Sequence, residues 1–246
     1  MRDCDRAVVE FELATVVCDP ITPHASWASA GSDSVFVPTE AAAERLNSFG
    51  VDRNRLHVIG MPVRRAFADA AGADRTAVRR RLGIGAYPAV VVVGGGLGAG
   101  HLLRTVDAVG RASAGAHILV LTGTNRRAYR ELTRRADPNV RIEKFRDDIS
   151  DIYAAADLVI SKAGPSTIFE IAAVGRPLLL TYEVGRQEAG NIALALELDI
   201  ASARVDFEKL AERMESALAG RARPRVADSS PAALIARWIS VSAPSK

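Results

Sequence analysis

Aromatic residues make up only 5% of this 246-residue chain, lysine supplies 4 of its 32 basic residues, and there are 2 cysteines. Each scarcity excludes something. Cys4 and Cys18 provide neither a disulfide framework nor paired metal-ligand spacing, which fits a reducing cytoplasm. His24, His57, His101 and His117 also lack ligand spacing, so no metal is expected; Asp3-Cys4-Asp5 reads as a chance Asp-x-Asp at a frayed terminus. No aromatic–basic pattern accompanies the charge, which argues against nucleic acid as a partner. No apolar run approaches the roughly 20 residues that span a bilayer. Met1-Arg2-Asp3-Cys4-Asp5 lacks the apolar stretch of a secretion signal.

What is present is ordinary globular material, 48% hydrophobic and 25% charged, which excludes disorder and fibrous repeats. At about 150 residues per domain, the length fits one large domain or two small ones. Net charge is only +3, yet 28 of the basic residues are arginine and they cluster. Arg53, Arg55, Arg64, Arg65, Arg75, Arg79, Arg80 and Arg81 form one group; Arg126, Arg127, Arg130, Arg134 and Arg135 form another. Either suits an anionic partner, such as a phosphate or an acidic membrane surface, and equally suits a solvated helix face. The expected location is cytoplasmic, free or peripheral on the inner face of the membrane.

From residue 89 onward, short β-branched runs alternate with helical stretches. Strands are expected at 89–93, 117–121, 140–143, 158–160 and 177–181, with a weaker one at 200–203. Helices are expected at 99–113, 126–135, 149–155, 166–174 and 188–198. The strands are continuous apolar runs, as in sheets covered on both faces. This alternation predicts an α/β fold with a doubly wound parallel sheet, whose ligands sit beyond the carboxyl ends of the strands. Upstream, 13–18, 35–37 and 56–59 read as strands and 40–49 as a helix, a partial α/β unit. The expected division is 1–62 for this partial N-terminal domain, 63–88 for a linker, 89–221 for the complete domain, and 222–246 for a C-terminal helix (232–239) and tail.

Three loops at expected strand ends carry the chemistry. Gly94-Gly95-Gly96-Leu97-Gly98-Ala99-Gly100 precedes a helix, and a glycine loop at a helix N-terminus suits a diphosphate. A dinucleotide is disfavoured because the next strand lacks the acidic residue that reads a ribose, and no Gly-Lys-Ser/Thr follows for a P-loop. In Ser161-Lys162-Ala163-Gly164-Pro165-Ser166-Thr167-Ile168-Phe169-Glu170, Ser166 or Thr167 is expected to cap a helix. Glu170 then either accepts hydrogen bonds from a ribose diol or completes a capping box. Gln187, Glu188 and Asn191 either read sugar hydroxyls or serve as helix-entry polar residues.

Taken in order, these loops resemble the C-terminal half of GT-B glycosyltransferases. The group that is most similar holds monogalactosyldiacylglycerol synthase, processive diacylglycerol glucosyltransferases and the lipid II N-acetylglucosaminyltransferase. The likeness spans roughly residues 16–200. It includes Cys18-Asp19…His24…Trp27, Val58-Ile59-Gly60-Met61-Pro62-Val63, Gly123-Thr124-Asn125 and Phe145-Arg146-Asp147-Asp148-Ile149, besides the three loops. The resemblance implies a complete Rossmann-like donor domain, a partial N-terminal domain, and a UDP-sugar as substrate with no cofactor or catalytic metal. It assigns the diphosphate to Gly94–Gly98 with Leu97, supported by Gly164, Ser166 and Thr167. It assigns the ribose to Glu170, the uracil edge to backbone at Phe145 and Arg146 near Asn125, and the sugar to Gln187, Glu188 and Asn191.

The same resemblance places the acceptor site and general base in an N-terminal domain of which this chain would hold the last third. Cys18 stands where the family commonly has a hydroxyl residue. Asp19 and His24 are the candidate bases, with a buried, hydrogen-bonded structural role as the competing reading. The expected activity is inverting transfer of a sugar from UDP to a lipid or other hydroxyl acceptor. Its alternatives are a donor-binding half that needs a separate N-terminal-domain chain or is decayed, and last a nucleotide-sugar epimerase of related architecture.

Overall fold

The computed structural model describes residues 11–28, 31–85, 88–95, 101–112, 116–135, 138–201, 203–219 and 231–242. Three short strands come first: β1 (Ala14–Val16), β2 (Ser34–Val37) and β3 (Leu56–Val58). They pair in parallel in the order β1-β2-β3. Helix α1 (Glu40–Ser48) covers them, started by Thr39, whose hydroxyl accepts from the Ala42 N–H. Val17, Val35, Val37, Leu46 and Leu56 form the small core beneath it.

Residues 63–88 depart from the expected linker. They hold α2 (Arg65–Ala71) and α3 (Arg75–Leu82), both packed on the larger unit. Phe67 and Val78 are the buried residues that make this stretch a packed element rather than a tether. Asp74 caps α3 through hydrogen bonds from Thr76 and Ala77 N–H, and Gly83 ends it in the left-handed conformation.

The larger sheet comprises β4 (Ala89–Val93), β5 (His117–Leu121), β6 (Val140–Glu143), β7 (Leu158–Ser161), β8 (Leu178–Leu180) and β9 (Ala203–Arg204). Its order is β6-β5-β4-β7-β8-β9, all parallel. Numbered within the sheet this is 3-2-1-4-5-6, the doubly wound order whose ligand crevice lies where the winding reverses. That point falls between β4 and β7. β9 begins three residues later than expected, and α9 (Leu210–Ala219) follows it without having been anticipated.

Although each strand reads as a continuous apolar run, its residues alternate between two cores. Val91, Val93, Val159, Leu178 and Leu180 face α6 (Ile149–Ala155), α7 (Pro165–Val174) and α8 (Asn191–Glu197). Val90, Val92, Ile118, Val120 and Leu158 face α4 (Leu102–Ala112), α5 (Arg126–Thr133) and α9. The register aligns Val93 with Leu121 and Ser161, so the loops after β4, β5 and β7 leave the sheet at one edge. Finally, α10 (Pro231–Ser242) starts against the small unit: a Cβ on Gly60 would lie 3.1 Å from Pro231 Cγ. No described helix is long and apolar enough to cross a membrane.

Candidate functional site

Two adjoining cavities open at the carboxyl ends of β4 and β7. One, of about 180 Å³, lies among Arg64, Gly123, the 144–147 loop, Tyr153 and Glu170. The other, of about 380 Å³, lies among Gly94, Lys162, Gly164, Gln187 and Glu188. Gly95, Ser166 and Thr167 line both, so the two share one wall.

That wall is the start of α7. Neither Ser166 nor Thr167 caps the helix as expected. Gly164 is the N-cap without a side-chain hydrogen bond, and Pro165 occupies the first turn, where its fixed φ and missing N–H cost nothing. The Ser166 and Thr167 N–H groups lie in the first turn, outside the helical ladder, and the positive end of the helix dipole points the same way. With the cap at Gly164, Glu170 sits six residues inside the helix, so the capping-box reading falls.

Glu170 instead borders the smaller cavity. Burial pushes its carboxyl up to about 7, against the pull of the Arg64 guanidinium. It makes no hydrogen bond to any described residue. Beside it, the Tyr153 hydroxyl is buried, and burial and the Glu170 charge raise its pKa against the pull of its contact with the Thr167 side chain and of the Arg64 charge. Arg64 is exposed overall, with its guanidinium 5.0 Å from the Phe67 ring centre, and Phe67 stacks on Tyr153 at 5.9 Å. A carboxylate without a hydrogen-bond partner at a cavity wall suits a ligand with adjacent hydroxyl groups.

The mouth of that cavity is the 144–148 loop. Phe145 is 59% exposed there, a large ring left in solvent beside an apolar pocket. Arg146 donates to both Asp148 oxygens at 2.8 and 2.6 Å, which stiffens the loop and holds the Asp148 carboxyl below its ordinary range. The loop thus brings an exposed aromatic ring and a stiffened backbone turn to the cavity.

Among the other expected residues, Gly94 and Gly95 line the larger cavity; Gly96, Leu97 and Gly98 lie outside the described residues. Gln187 and Glu188 border it from a turn before α8, not from the helix itself: Gly190, at φ +88°, is its N-cap, so the helix begins at Asn191. Asn191 is 1% exposed, and its amide donates to the Ala163 carbonyl at 3.0 Å, tying the loop after β7 from behind. Asn125 is the N-cap of α5, accepting from the Ala128 N–H at 2.9 Å. Neither asparagine lines a cavity.

Asp19 and His24 lie in the loop after β1, outside both cavities. Asp19 accepts from the Trp27 indole at 3.1 Å. His24 is exposed rather than buried, and its Nδ1 accepts from the Ser26 N–H at 3.2 Å. The same nitrogen lies 2.9 Å from Ser26 Oγ, so the ring is engaged with its own loop. The loop does meet the site: Thr22 Oγ1 donates to the carbonyls of Arg186 and Gln187 at 2.9 and 3.0 Å.

The residues the sequence did not single out are Lys162, Arg64 and Tyr153. Lys162 stands directly after β7, a lone cation in a crevice-facing loop, and that position was its available signal. Arg64 and Tyr153 come from α2's cap and α6, and only the packing of those helices on α7 brings them in. Among the described residues, no group of three His, Cys, Asp or Glu side chains could hold a metal ion.

A family model described as glycosyltransferase family 28 C-terminal domain matches residues 89–218. The chain is 31% identical over 195 residues to the chloroplastic monogalactosyldiacylglycerol synthase of Spinacia oleracea, covering 75% of this chain and 37% of that protein. It is 31% identical over 194 residues to the probable chloroplastic monogalactosyldiacylglycerol synthase of Nicotiana tabacum, covering 75% and 36%. This chain thus spans little more than a third of those relatives. In fold it is similar to the UDP-GlcNAc 2-epimerase of Neisseria meningitidis bound to UDP-GlcNAc, with a TM-score of 0.67 at 10% identity over 94% of this chain and 70% of that one. It is also similar to HepE of Anabaena in complex with UDP, with a TM-score of 0.61 at 18% identity over 94% and 72%.

Proposed function

Because the chain belongs to the glycosyltransferase family 28 C-terminal domain family and has the α/β, GT-B-type fold, we propose that its crevice binds a UDP-sugar and serves inverting, metal-independent transfer of the sugar to a lipid or other hydroxyl acceptor. One observation carries this reading most directly. Glu170, the residue expected to hold the ribose, is a half-buried carboxylate without a hydrogen-bond partner at the wall of a cavity, and its pKa is pushed up to about 7.

The roles follow from placement. The smaller cavity takes the nucleoside, with Glu170 accepting from the ribose hydroxyls and the Phe145-Arg146 backbone meeting the uracil edge. Gly94, Gly95 and the first turn of α7 take the diphosphate, and Gln187 and Glu188 face the sugar. As the bond to the sugar breaks, negative charge grows on the leaving UDP. Free N–H groups and the dipole at the start of α7 stabilise that charge without reorganising. A lipid acceptor, in keeping with the galactolipid in the plant relatives' name, suits an approach from the small-sheet side, where the loop after β1 meets residues 186–187.

A second reading is a donor-binding half that works with a separate acceptor-side chain or has lost its own acceptor domain. It accords with a family model that matches residues 89–218, the donor sheet and its helices. Titration calorimetry and thermal shift with UDP, UDP-glucose, UDP-galactose and UDP-N-acetylglucosamine test the donor claim, since a ligand that binds only the native state raises its melting temperature. No shift and no heat at saturating ligand would sink it. Transfer assays with and without an added acceptor-domain chain separate the two readings.

A further inference from the structure

Across the larger cavity, the Lys162 ammonium is hydrogen-bonded to Glu188 Oε1 in an ion pair whose side chains are only 15% and 11% exposed. Lys162 is the one cation among the described residues lining that cavity. The backbone makes room for it. A Cβ on Gly95 would come within 3.2 Å of Lys162 Cε, and one on Gly164 within 2.9 Å of its Nζ. The lysine therefore threads between two glycines, one from the loop after β4 and one from the cap of α7. The second Glu188 oxygen accepts from the Val184 N–H at 2.8 Å, so the carboxylate stays held if the lysine leaves it.

Resting on the UDP-sugar reading above, we propose that Lys162 is a transferable counter-charge. It pairs with Glu188 in the empty crevice, swings to the diphosphate when the nucleotide binds, and frees Glu188 Oε1 to accept a hydroxyl of the sugar. A desolvated ion pair stabilises a fold weakly against its cost of dehydration, so its position at the junction of the two diphosphate loops calls for another reason. The exchange leaves no charge unpaired. Lysine passes from a carboxylate to a more highly charged diphosphate that the α7 N-terminus also attracts, and the carboxylate gains a hydroxyl donor. The lysine stem is flexible, and its head need only cross a cavity it already borders.

The test is calorimetry with uridine, UDP and the UDP-sugar that the wild type binds best, on the wild type, Lys162→Met, Glu188→Gln and the double variant. Lys162→Met should weaken UDP by about tenfold or more, in line with loss of a charge-assisted hydrogen bond, while uridine stays within about twofold. Glu188→Gln should tighten UDP, because the competing carboxylate charge is gone, and should abolish the gain of UDP-sugar over UDP. The double variant leaves no lone buried charge, so it covers the case in which Lys162→Met alone fails to fold, and it should show the same fall in UDP-to-uridine preference. An unchanged UDP-to-uridine ratio in both lysine variants overturns the proposal while leaving the donor reading intact. A wild type that binds neither uridine nor UDP overturns the donor reading and the proposal together.

Discussion

The Tyr182 hydroxyl accepts a 2.9 Å hydrogen bond from the His101 backbone N–H, and the two rings meet edge to face at 5.0 Å. His101 immediately precedes α4, so this contact fastens the start of that helix to the loop after β8. Phe207 joins the rings, 5.9 Å from His101, and the Arg104 guanidinium lies 4.6 Å from its centre. Tyr182→Phe keeps the ring packing and removes the hydroxyl. It should cost no more than about 1 kcal/mol of stability and, on the UDP-sugar reading, weaken UDP several-fold, because the start of α4 loses its tether. Chemical denaturation and calorimetry on one preparation check both, and an unaltered UDP affinity would show that the tether does not order the start of α4.

Glu170 makes the site pH-dependent in two opposed ways. In the free protein its carboxyl, near 7, lies above the ordinary value of an unfolded glutamate. The native state therefore binds its proton more tightly. Stability falls as pH rises from the unfolded value through about 7, and then levels. The cost at pH 8 is roughly 3 kcal/mol at most. Glu170→Gln should consequently gain in melting temperature relative to the wild type between pH 5 and pH 8. Ribose hydroxyls favour the charged carboxylate, so UDP should bind more tightly at pH 8 than at pH 6 and release protons at pH 7. Calorimetry in two buffers of different ionisation enthalpy reads that release directly, and Glu170→Gln should abolish it.

Much of the donor sheet was legible because its strands are short valine- and leucine-rich runs between turn residues, such as 89–93 and 117–121. The two-core alternation was hidden, since a strand buried on both faces carries no polar residues to mark it. Local backbone conformation moved the helix starts: Pro165 drew α7 forward to a Gly164 cap, and Gly190 held α8 back to Asn191. The helices at 65–71 and 75–82 were masked by Gly72 and a run of arginines. Their apolar face is narrow and depends on α6 and α7 for burial. That the loops after β4, β7 and β8 border the crevice could be read from strand ends alone. The Lys162–Glu188 pair could not, because 26 positions separate partners that only the β7–β8 register brings together.

Asp157 is the hub that fixes α3 to the sheet on the side away from the crevice. Its carboxylate pairs with Arg75, accepts from Arg79 at 2.6 Å, and accepts from the Ala89 N–H at 2.7 Å. Burial on its own would raise its pKa, but the Arg75 hydrogen bond, the Ala89 N–H and the two guanidinium charges outweigh it and hold the group below its usual range. Its contribution is thus complete at neutral pH and drains as pH falls below about 4 through the folded value. Asp157→Ala leaves two guanidiniums facing each other and should cost about 3 kcal/mol, the low end for a buried pair because the groups keep some exposure. Urea denaturation at pH 7 should show this loss, with the difference from the wild type shrinking toward pH 3. UDP affinity of the folded variant should be unchanged.

The small unit and the donor domain also meet where Ile21 packs against Gly190. A Cβ on Gly190 would lie 2.9 Å from Ile21 Cγ2, and the residue also has φ +88°, so Gly190→Ala carries two separate penalties. The left-handed backbone costs about 1 kcal/mol for any L-residue, whatever the space around it. The clash can be relieved by truncating its partner. In a double-mutant cycle, Ile21→Ala should therefore recover part of the stability lost in Gly190→Ala, with a coupling of about 1 kcal/mol or more. A remainder near the backbone term should persist. The same substitution moves the turn that carries Gln187 and Glu188, to which Thr22 is hydrogen-bonded. Gly190→Ala should then reduce the gain in affinity that a UDP-sugar shows over UDP, while uridine binds as before. Equal losses for uridine and UDP-sugar would mean that this contact supports the whole crevice rather than its sugar end.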